Sequence, residues 1–263
     1  MPDGASRNIY CREIHVTTGP RRAVGELIDD FHHFRATIEH DGNRIRTVKG
    51  EALRIPWQTC GGAVDPLRRL EGQLLAPTTR GVGRLTPTHL QCTHLYDAAC
   101  IAAARAGRQA ASVVYRILVP DRVDGQTHVT LHRDSEPLLD WHLDGFTITG
   151  PEPFRGRALF GDNFPDWAER HLDVESAEAA LALARACMIS SGRAMHLDDC
   201  ARAIDVPGTK MGVCHTYSET HGAQSFRMVG SARALADASD VRRASLDSDP
   251  DRVQLFHRPG PKS

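Results

Sequence analysis

The stretch from Gly25 to Trp57, GELIDDFHHFRATIEHDGNRIRTVKGEALRIPW, decides the fold. Its first half alternates apolar and polar side chains, which is typical of a half-buried strand, and we predict one strand over residues 25–39. An Asp-Gly pair at 41–42 then marks a hairpin turn. A second strand is predicted over 44–55, and it ends because Pro56 cannot continue a central ladder. The stretch therefore predicts an antiparallel hairpin.

The rest of the chain alternates between strands and helices. A hydrophobic period of two residues predicts a strand, and a period near 3.6 predicts a helix. The further predicted elements are a strand over 9–17, a short helix from Asp65, a helix over 88–107, strands over 111–119, 128–133 and 138–149, helices over 164–171 and 175–188, and a hairpin of 212–217 with 225–231.

These elements predict an α+β fold in which an antiparallel sheet packs against helices. Residues 7–110 are expected to form a core that carries the functional site. Residues 111–235 are expected to add further strands and a helix pair, packed on the same core. Residues 238–263 are polar, charged and proline-rich at their end, and they are predicted to form a disordered tail.

The composition is that of an ordinary globular protein, since 41% of the 263 residues are apolar and 25% are charged. The net charge of −1 and the low aromatic content argue against nucleic acid as a partner. No run approaches the ~20 apolar residues of a membrane span, and the first residues lack the pattern of a secretory signal. Seven scattered cysteines indicate reduced thiols and a cytoplasmic location. The expected partner is a small-molecule substrate, and the composition is compatible with a homo-oligomer.

The first candidate site residues are Asp30 and His32, in the cluster of residues 29–33. On a single strand alternate residues share a face, so both would point the same way as Phe34, toward the core. A carboxylate and an imidazole at such a place are costly unless they are paired or bound to a metal. The alternative is a strand end where water still reaches both side chains.

Cys60 and Cys92 are further candidates, because each lies near the start of a predicted helix. The positive end of a helix dipole favours the thiolate, which is the form that attacks a substrate or binds a metal. His94 follows Cys92 by two residues and could serve as a ligand or as a proton-transfer group. Simple packing of the two thiols in the core is the alternative.

Together these residues supply a donor set that suits zinc or iron. Asp30, Cys60 and Cys92 would be the metal ligands, with His32 or His94 as the fourth ligand or the catalytic proton-transfer group. No compact zinc spacing such as C-x₂-C is present, and the chain lacks the usual nucleotide-binding and serine-hydrolase motifs.

A second set of polar side chains occupies alternate positions along the predicted middle strands: His132, Asp134, Asp140, His142 and Asp144. Alternate residues of one strand share a face. We interpret this group as a solvated face of the sheet.

Several short motifs span most of the chain: Arg12-x-Ile14, Asp30-x-His32-x-Phe34, His40-Asp41-Gly42, Arg54-x-Pro56-Trp57-x-x-Cys60, Leu70-x-Gly72, Cys92-Thr93-His94-Leu95 and Gly212-x-Cys214-x-Thr216. In these motifs the chain resembles a bacterial family of proteins of unknown function, over residues 7 to about 235. Members of that family lie near genes for the catabolism of aromatic or terpenoid compounds. The resemblance therefore implies a small catabolic substrate of that kind.

Residues 30–107 carry a second ordered set of features: Asp30, the Asp41-Gly42 hairpin, Cys60-Gly61-Gly62-Ala63, Leu70-x-Gly72 and Cys92. In this order they distantly resemble the scaffold proteins of iron–sulfur cluster assembly, which implies a similar fold for the N-terminal half. Ile28 stands where that family has a loop cysteine, and Gln91 stands where it has a histidine. With one thiolate fewer, the resemblance implies a mononuclear metal completed by His32 or His94.

The leading hypothesis is a metal-dependent enzyme, with zinc or iron, that acts on a small aromatic or terpenoid substrate by lyase, hydratase or hydrolase chemistry. One alternative is a metal- or sulfur-handling scaffold without turnover. Another is cofactor-free catalysis, with Cys60 or Cys92 as nucleophile and His94 as base. The enzyme hypothesis predicts a cavity of some hundreds of Å³ beside the site, and the scaffold hypothesis predicts an exposed, exchangeable site.

Overall fold

The computed structural model describes residues 8–160, 163–208 and 210–235. Eight strands form one antiparallel sheet, in the order β4-β3-β2-β1-β5-β6-β7-β8. The strands are β1 Ile9–Thr18, β2 Arg22–Asp29, β3 His33–His40, β4 Ile45–Arg54, β5 Val113–Pro120, β6 Gln126–Arg133, β7 Glu136–Asp144 and β8 Thr147–Gly150. The predicted α+β class with an antiparallel sheet is confirmed.

The sheet consists of two four-stranded meanders joined at its centre, where β1 pairs with β5. The helices are α1 Val64–Leu67, α2 Thr79–Gly83, α3 Thr93–Gly107, α4 Phe164–His171 and α5 Val174–Ile189. Helix α3 follows the first meander and packs on β1, β2 and β3, whereas α5 follows the second and packs on β5 and β6. Both predicted regions, 7–110 and 111–235, therefore contribute strands to the same sheet.

The predicted single strand over 25–39 is wrong, because a tight turn divides it into β2 and β3. The carboxylate of Asp29 causes the turn: its Oδ1 accepts hydrogen bonds from the backbone N–H of Phe31 (2.9 Å) and of His32 (2.8 Å). An Asp side chain that bonds the backbone two and three residues on offers the chain an alternative to the ladder. Asp30 and His32 are therefore not alternate residues of one strand, and their side chains need not point to the same face.

The C-terminal hairpin predicted over 212–217 and 225–231 is also not formed. These residues make turns, and two isolated bridges, Trp57 with Arg227 and Arg202 with Phe226, take the place of a ladder. Gly212 has a φ of +80°, a left-handed conformation that interrupts an extended strand. The predicted tail over 238–263 lies outside the described residues.

Helix α3 approaches the sheet closely at Gly25 of β2. A Cβ at this position would overlap the carbonyl oxygen of Ala98, which is backbone and cannot move independently of the helix. We expect Gly25→Ala to lower the free energy of unfolding by about 1–3 kcal/mol, measured by urea denaturation. Gly83→Ala is the matched control, because a Cβ there has no neighbour within 4 Å in the described part of the chain. Equal stabilities of the two variants would contradict this account of the contact.

Candidate functional site

The turn between β2 and β3 faces the first turn of α3. This places one ligand atom each of Asp29, His32 and His94 within 4.8 Å of one another, and all three side chains are buried. Asp29 belongs to the end of β2, His32 to the turn and His94 to the start of α3. The site therefore depends on contact between two segments that lie about 60 residues apart in the sequence.

Two buried charged side chains hold the turn in place. The Oδ2 of Asp29 accepts hydrogen bonds from Tyr10 Oη (2.7 Å) and from Arg12 Nη2 (2.7 Å). The guanidinium of Arg54 donates to the backbone carbonyls of Asp29, Asp30 and His32. These hydrogen bonds hold the backbone of the turn from which the His32 side chain extends.

The carboxyl group of Asp29 is ionised despite its complete burial. Burial alone would raise its pKa, but the contact with the His32 imidazole and the positive charge of Arg12 hold the pKa of Asp29 well below its usual range. The same carboxylate contacts the ring of His32 through Oδ1, at 2.9 Å from Nδ1. Asp29 thus both shapes the turn and orients the imidazole.

The rings of His32 and His94 are stacked, with centroids 3.6 Å apart and planes 19° apart. Burial lowers the pKa of His32 below its ordinary value. Burial, and the neighbouring His32 and Arg12, lower the pKa of His94 well below its ordinary value. Both shifts favour the neutral imidazole, which is the form that binds a metal.

One nitrogen of the pair has no partner. Among the described residues, Nε2 of His94 is buried and makes no hydrogen bond. The other ring nitrogen, Nδ1, lies 3.9 Å from Cys92 Sγ and 3.4 Å from Thr93 Oγ1. A buried polar atom without a partner is costly, so this nitrogen is available to bind a ligand such as a metal ion.

Of the two predicted cysteines, Cys92 contacts His94 of this cluster, whereas Cys60 contacts Thr216. Cys92 is the N-cap of α3, as its position near a helix start requires. Burial nevertheless raises its pKa well above the ordinary value, which outweighs the effect of the helix dipole. Cys60 Sγ lies 3.1 Å from Thr216 Oγ1, and burial raises its pKa to about 12.

Asp30 points away from the histidines. Its Oδ2 accepts a hydrogen bond from Arg193 Nη1 at 2.6 Å, and its Oδ1 contacts the backbone N–H of Leu235 at 3.3 Å. Burial raises its pKa to about 6.

The proposed ligands Asp30, Cys60 and Cys92 are not brought together into one metal-sized group. The described residues contain two such groups, and the second is His128, Asp140 and His142. The structure thus brings together the predicted His32 and His94, but with Asp29 as the carboxylate. The Asp-Asp pair could have indicated Asp29, because the first Asp of a turn commonly bonds the backbone that follows it.

A cleft of about 240 Å³ lies on the far side of Phe31, the residue before His32, and none of Asp29, His32 and His94 lines it. Phe31 forms part of its wall, and the Phe31 ring is 6.1 Å from the ring of His32 in an edge-on arrangement. Arg193 and Arg227 line the same cleft, together with Asp198 and Asp199. A small polar molecule in this cleft would therefore be separated from His32 by the Phe31 side chain.

Comparison with known protein families and with curated proteins finds no relative of this chain. No model of a protein family matches the chain, and no curated protein matches it. The likeness to the bacterial family and to the cluster-assembly scaffolds stays a prediction. In the described ranges, no helix combines the length and the apolar character needed to cross a membrane.

Proposed function

We propose that the protein is a metal-dependent enzyme whose zinc or iron ion is bound by Asp29, His32 and His94. The observation that carries this proposal is the buried Nε2 of His94, which has no hydrogen-bond partner among the described residues and belongs to a residue whose ligand atom lies within 4.8 Å of those of Asp29 and His32. Two imidazoles and one carboxylate are a donor set used by catalytic zinc and by non-haem iron.

The spacing of the ligand atoms supports direct binding by Asp29 and His32. Oδ1 of Asp29 and Nδ1 of His32 are 2.9 Å apart. Two ligands at about 2.1 Å from one ion lie about 3.0 Å apart at a right angle and about 3.4 Å apart at a tetrahedral angle. An ion could therefore replace the proton that these two atoms share, and the spacing suits six-coordinate iron more closely than tetrahedral zinc.

The remaining contacts of Asp29 can persist when an ion is bound. Its Oδ2 stays bonded to Tyr10 and Arg12, and the two backbone N–H groups of the turn still point at Oδ1. With three protein ligands, an ion keeps at least one position open for water or substrate, where it can activate the water or polarise a carbonyl.

The substrate in this proposal is a small organic molecule, and the reaction is lyase, hydratase or hydrolase chemistry. The 240 Å³ cleft beside Phe31 supports a small substrate. Its aromatic or terpenoid character rests on the resemblance to the bacterial family. A carrier without turnover would need ligands that a partner protein can reach, whereas Asp29 is fully buried and each histidine is only 7% exposed.

Metal analysis of the full, untagged chain tests the proposal. After purification without chelator and a brief wash with citrate to remove exposed ions, we expect about one zinc or iron ion per chain by mass spectrometry. His94→Gln should lose the ion, whereas His89→Gln, on an exposed residue, should keep it. Circular dichroism would establish that His94→Gln is folded. A wild-type chain that holds no ion, even after refilling with zinc and with iron, would refute the proposal.

Cofactor-free catalysis is a second candidate, and the contact between Cys92 Sγ and His94 Nδ1 (3.9 Å) favours it. In this arrangement His94 would accept the thiol proton as Cys92 attacks. The raised pKa of Cys92 weighs against it, since little thiolate exists at pH 7. Rapid alkylation of Cys92 at pH 7 in metal-free wild type, slowed in His94→Gln, would favour this candidate over the metal enzyme.

A further inference from the structure

A second group of ligand side chains lies on the other half of the sheet, on the surface. His128 is on β6, and Asp140 and His142 are on β7. One ligand atom from each lies within 4.8 Å of the other two, and all three residues are exposed. None of them belongs to the site formed by Asp29, His32 and His94.

The strand register places these side chains together. His128 is directly opposite His142 in the β6–β7 pair, and Asp140 shares the face of His142 because the two are separated by one residue. The alternate residues Val129 and Trp141 are buried in the core. The cluster thus lies on the face of the sheet that points away from the core, and its three side chains need no backbone movement to meet.

The contacts within the cluster are short. His128 Nε2 is 2.6 Å from Asp140 Oδ1, and the rings of His128 and His142 stack with centroids 4.5 Å apart and planes 13° apart. The side chains of His128 and Asp140 are 51% and 59% exposed, so an ion in solution can reach them. An exposed ion pair alone contributes little to stability, and it does not account for the second imidazole.

The cluster also borders a cleft of about 820 Å³. His128 and His142 both line it, and so do the carboxylate-bearing residues Asp124 and Asp144. An ion bound by the two imidazoles would therefore face an open, negatively charged space. Metal positions not filled by protein would be occupied there by water or by an added ligand.

We propose that His128, Asp140 and His142 form a surface site for a divalent transition-metal ion of the zinc class. Imidazole and carboxylate ligands suit zinc, nickel and copper, and their exposure predicts rapid exchange. This site is independent of the proposed function, because it shares no residue with the buried cluster.

Calorimetric titration of the full, untagged chain with zinc chloride tests the site. We expect wild type to bind one rapidly exchanging zinc ion, and His128→Gln and His142→Gln each to bind it at least about tenfold more weakly. Asp140→Asn should weaken binding less, because both imidazoles remain. His89→Gln is the matched control, since it removes an exposed histidine outside both clusters and should bind as wild type does.

The variants retain Asp29, His32 and His94, so failure of the buried site leaves this comparison unchanged. The substitutions are on the surface, and thermal melts should show the same unfolding temperature for all of them. Equal zinc affinity in His142→Gln and in His89→Gln would overturn the proposal, and so would a wild-type chain that binds no zinc below millimolar concentration.

Discussion

Asp29→Asn is expected to lower the free energy of unfolding by about 3–5 kcal/mol, because it leaves the guanidinium of Arg12 buried without its carboxylate. Both side chains of this ion pair are 0% exposed, and Arg12 Nη2 lies 2.7 Å from Asp29 Oδ2. The amide of asparagine can still accept from the turn, but it cannot neutralise the charge. Urea denaturation followed by circular dichroism measures the loss.

The difference in stability between wild type and Asp29→Asn is expected to decrease at acidic pH. The pKa of Asp29 in the folded chain lies well below its value in the unfolded chain. A carboxyl group of this kind stabilises the fold above its unfolded pKa, and the contribution is lost as the pH falls through the folded pKa. The stability gap between wild type and Asp29→Asn should thus be present at pH 7 and shrink as the pH falls below about 4.

Asp121→Asn is the matched control for this prediction. Asp121 also pairs with an arginine, Arg193, but its side chain is 41% exposed. Its replacement should cost under about 1 kcal/mol. A loss for Asp29→Asn no larger than that for Asp121→Asn would show that the buried pair does not anchor the turn.

Glu178→Gln is expected to have a comparable effect, about 3–5 kcal/mol, because it removes the buried carboxylate closest to two arginines. Glu178 lies on α5 with its side chain 1% exposed, and it pairs with Arg105 of α3 (2.8 Å) and with Arg108 (2.7 Å), which directly follows that helix. It also accepts a hydrogen bond from Tyr115 Oη of β5 at 2.9 Å. Glu178 thus joins the helices that follow the two meanders, and thermal and urea unfolding should both report its loss.

Glu175→Gln is the matched control, which tests whether the loss of stability in Glu178→Gln depends on the burial of the replaced carboxylate. Glu175 lies one turn earlier on α5 and pairs with Arg133 (2.7 Å) and, more distantly, with Arg105 (3.8 Å), but its side chain is 41% exposed. Its replacement should cost under about 1 kcal/mol. Similar losses of unfolding free energy in Glu175→Gln and Glu178→Gln would contradict the conclusion that the buried contacts of Glu178 stabilise the fold.

The local pattern of the sequence predicted most elements because the forces that define them act over a few residues. Alternation at Phe34, Ala36 and Ile38 indicated β3, and all three side chains are indeed fully buried. The helices over 164–171 and 175–188 are confirmed as α4 and α5 within a residue or two.

The division of residues 25–39 into two strands was missed for a physical reason. The apolar pattern continues across the turn, so periodicity alone gives no break. The break comes from the Asp29 carboxylate, which bonds the backbone of Phe31 and His32. Arg54, from the end of β4, then fixes the turn through its carbonyls.

The sequence by itself determined the α+β class, the antiparallel strands, and His32 and His94 as candidates, because side-chain type and spacing are local properties. Only the tertiary structure decided that the carboxylate beside them is Asp29, and that Asp30 bonds Arg193 instead. It also decided the pairing of β1 with β5, about 100 residues apart. Such contacts depend on how distant segments pack around one core, which no local pattern of residues encodes.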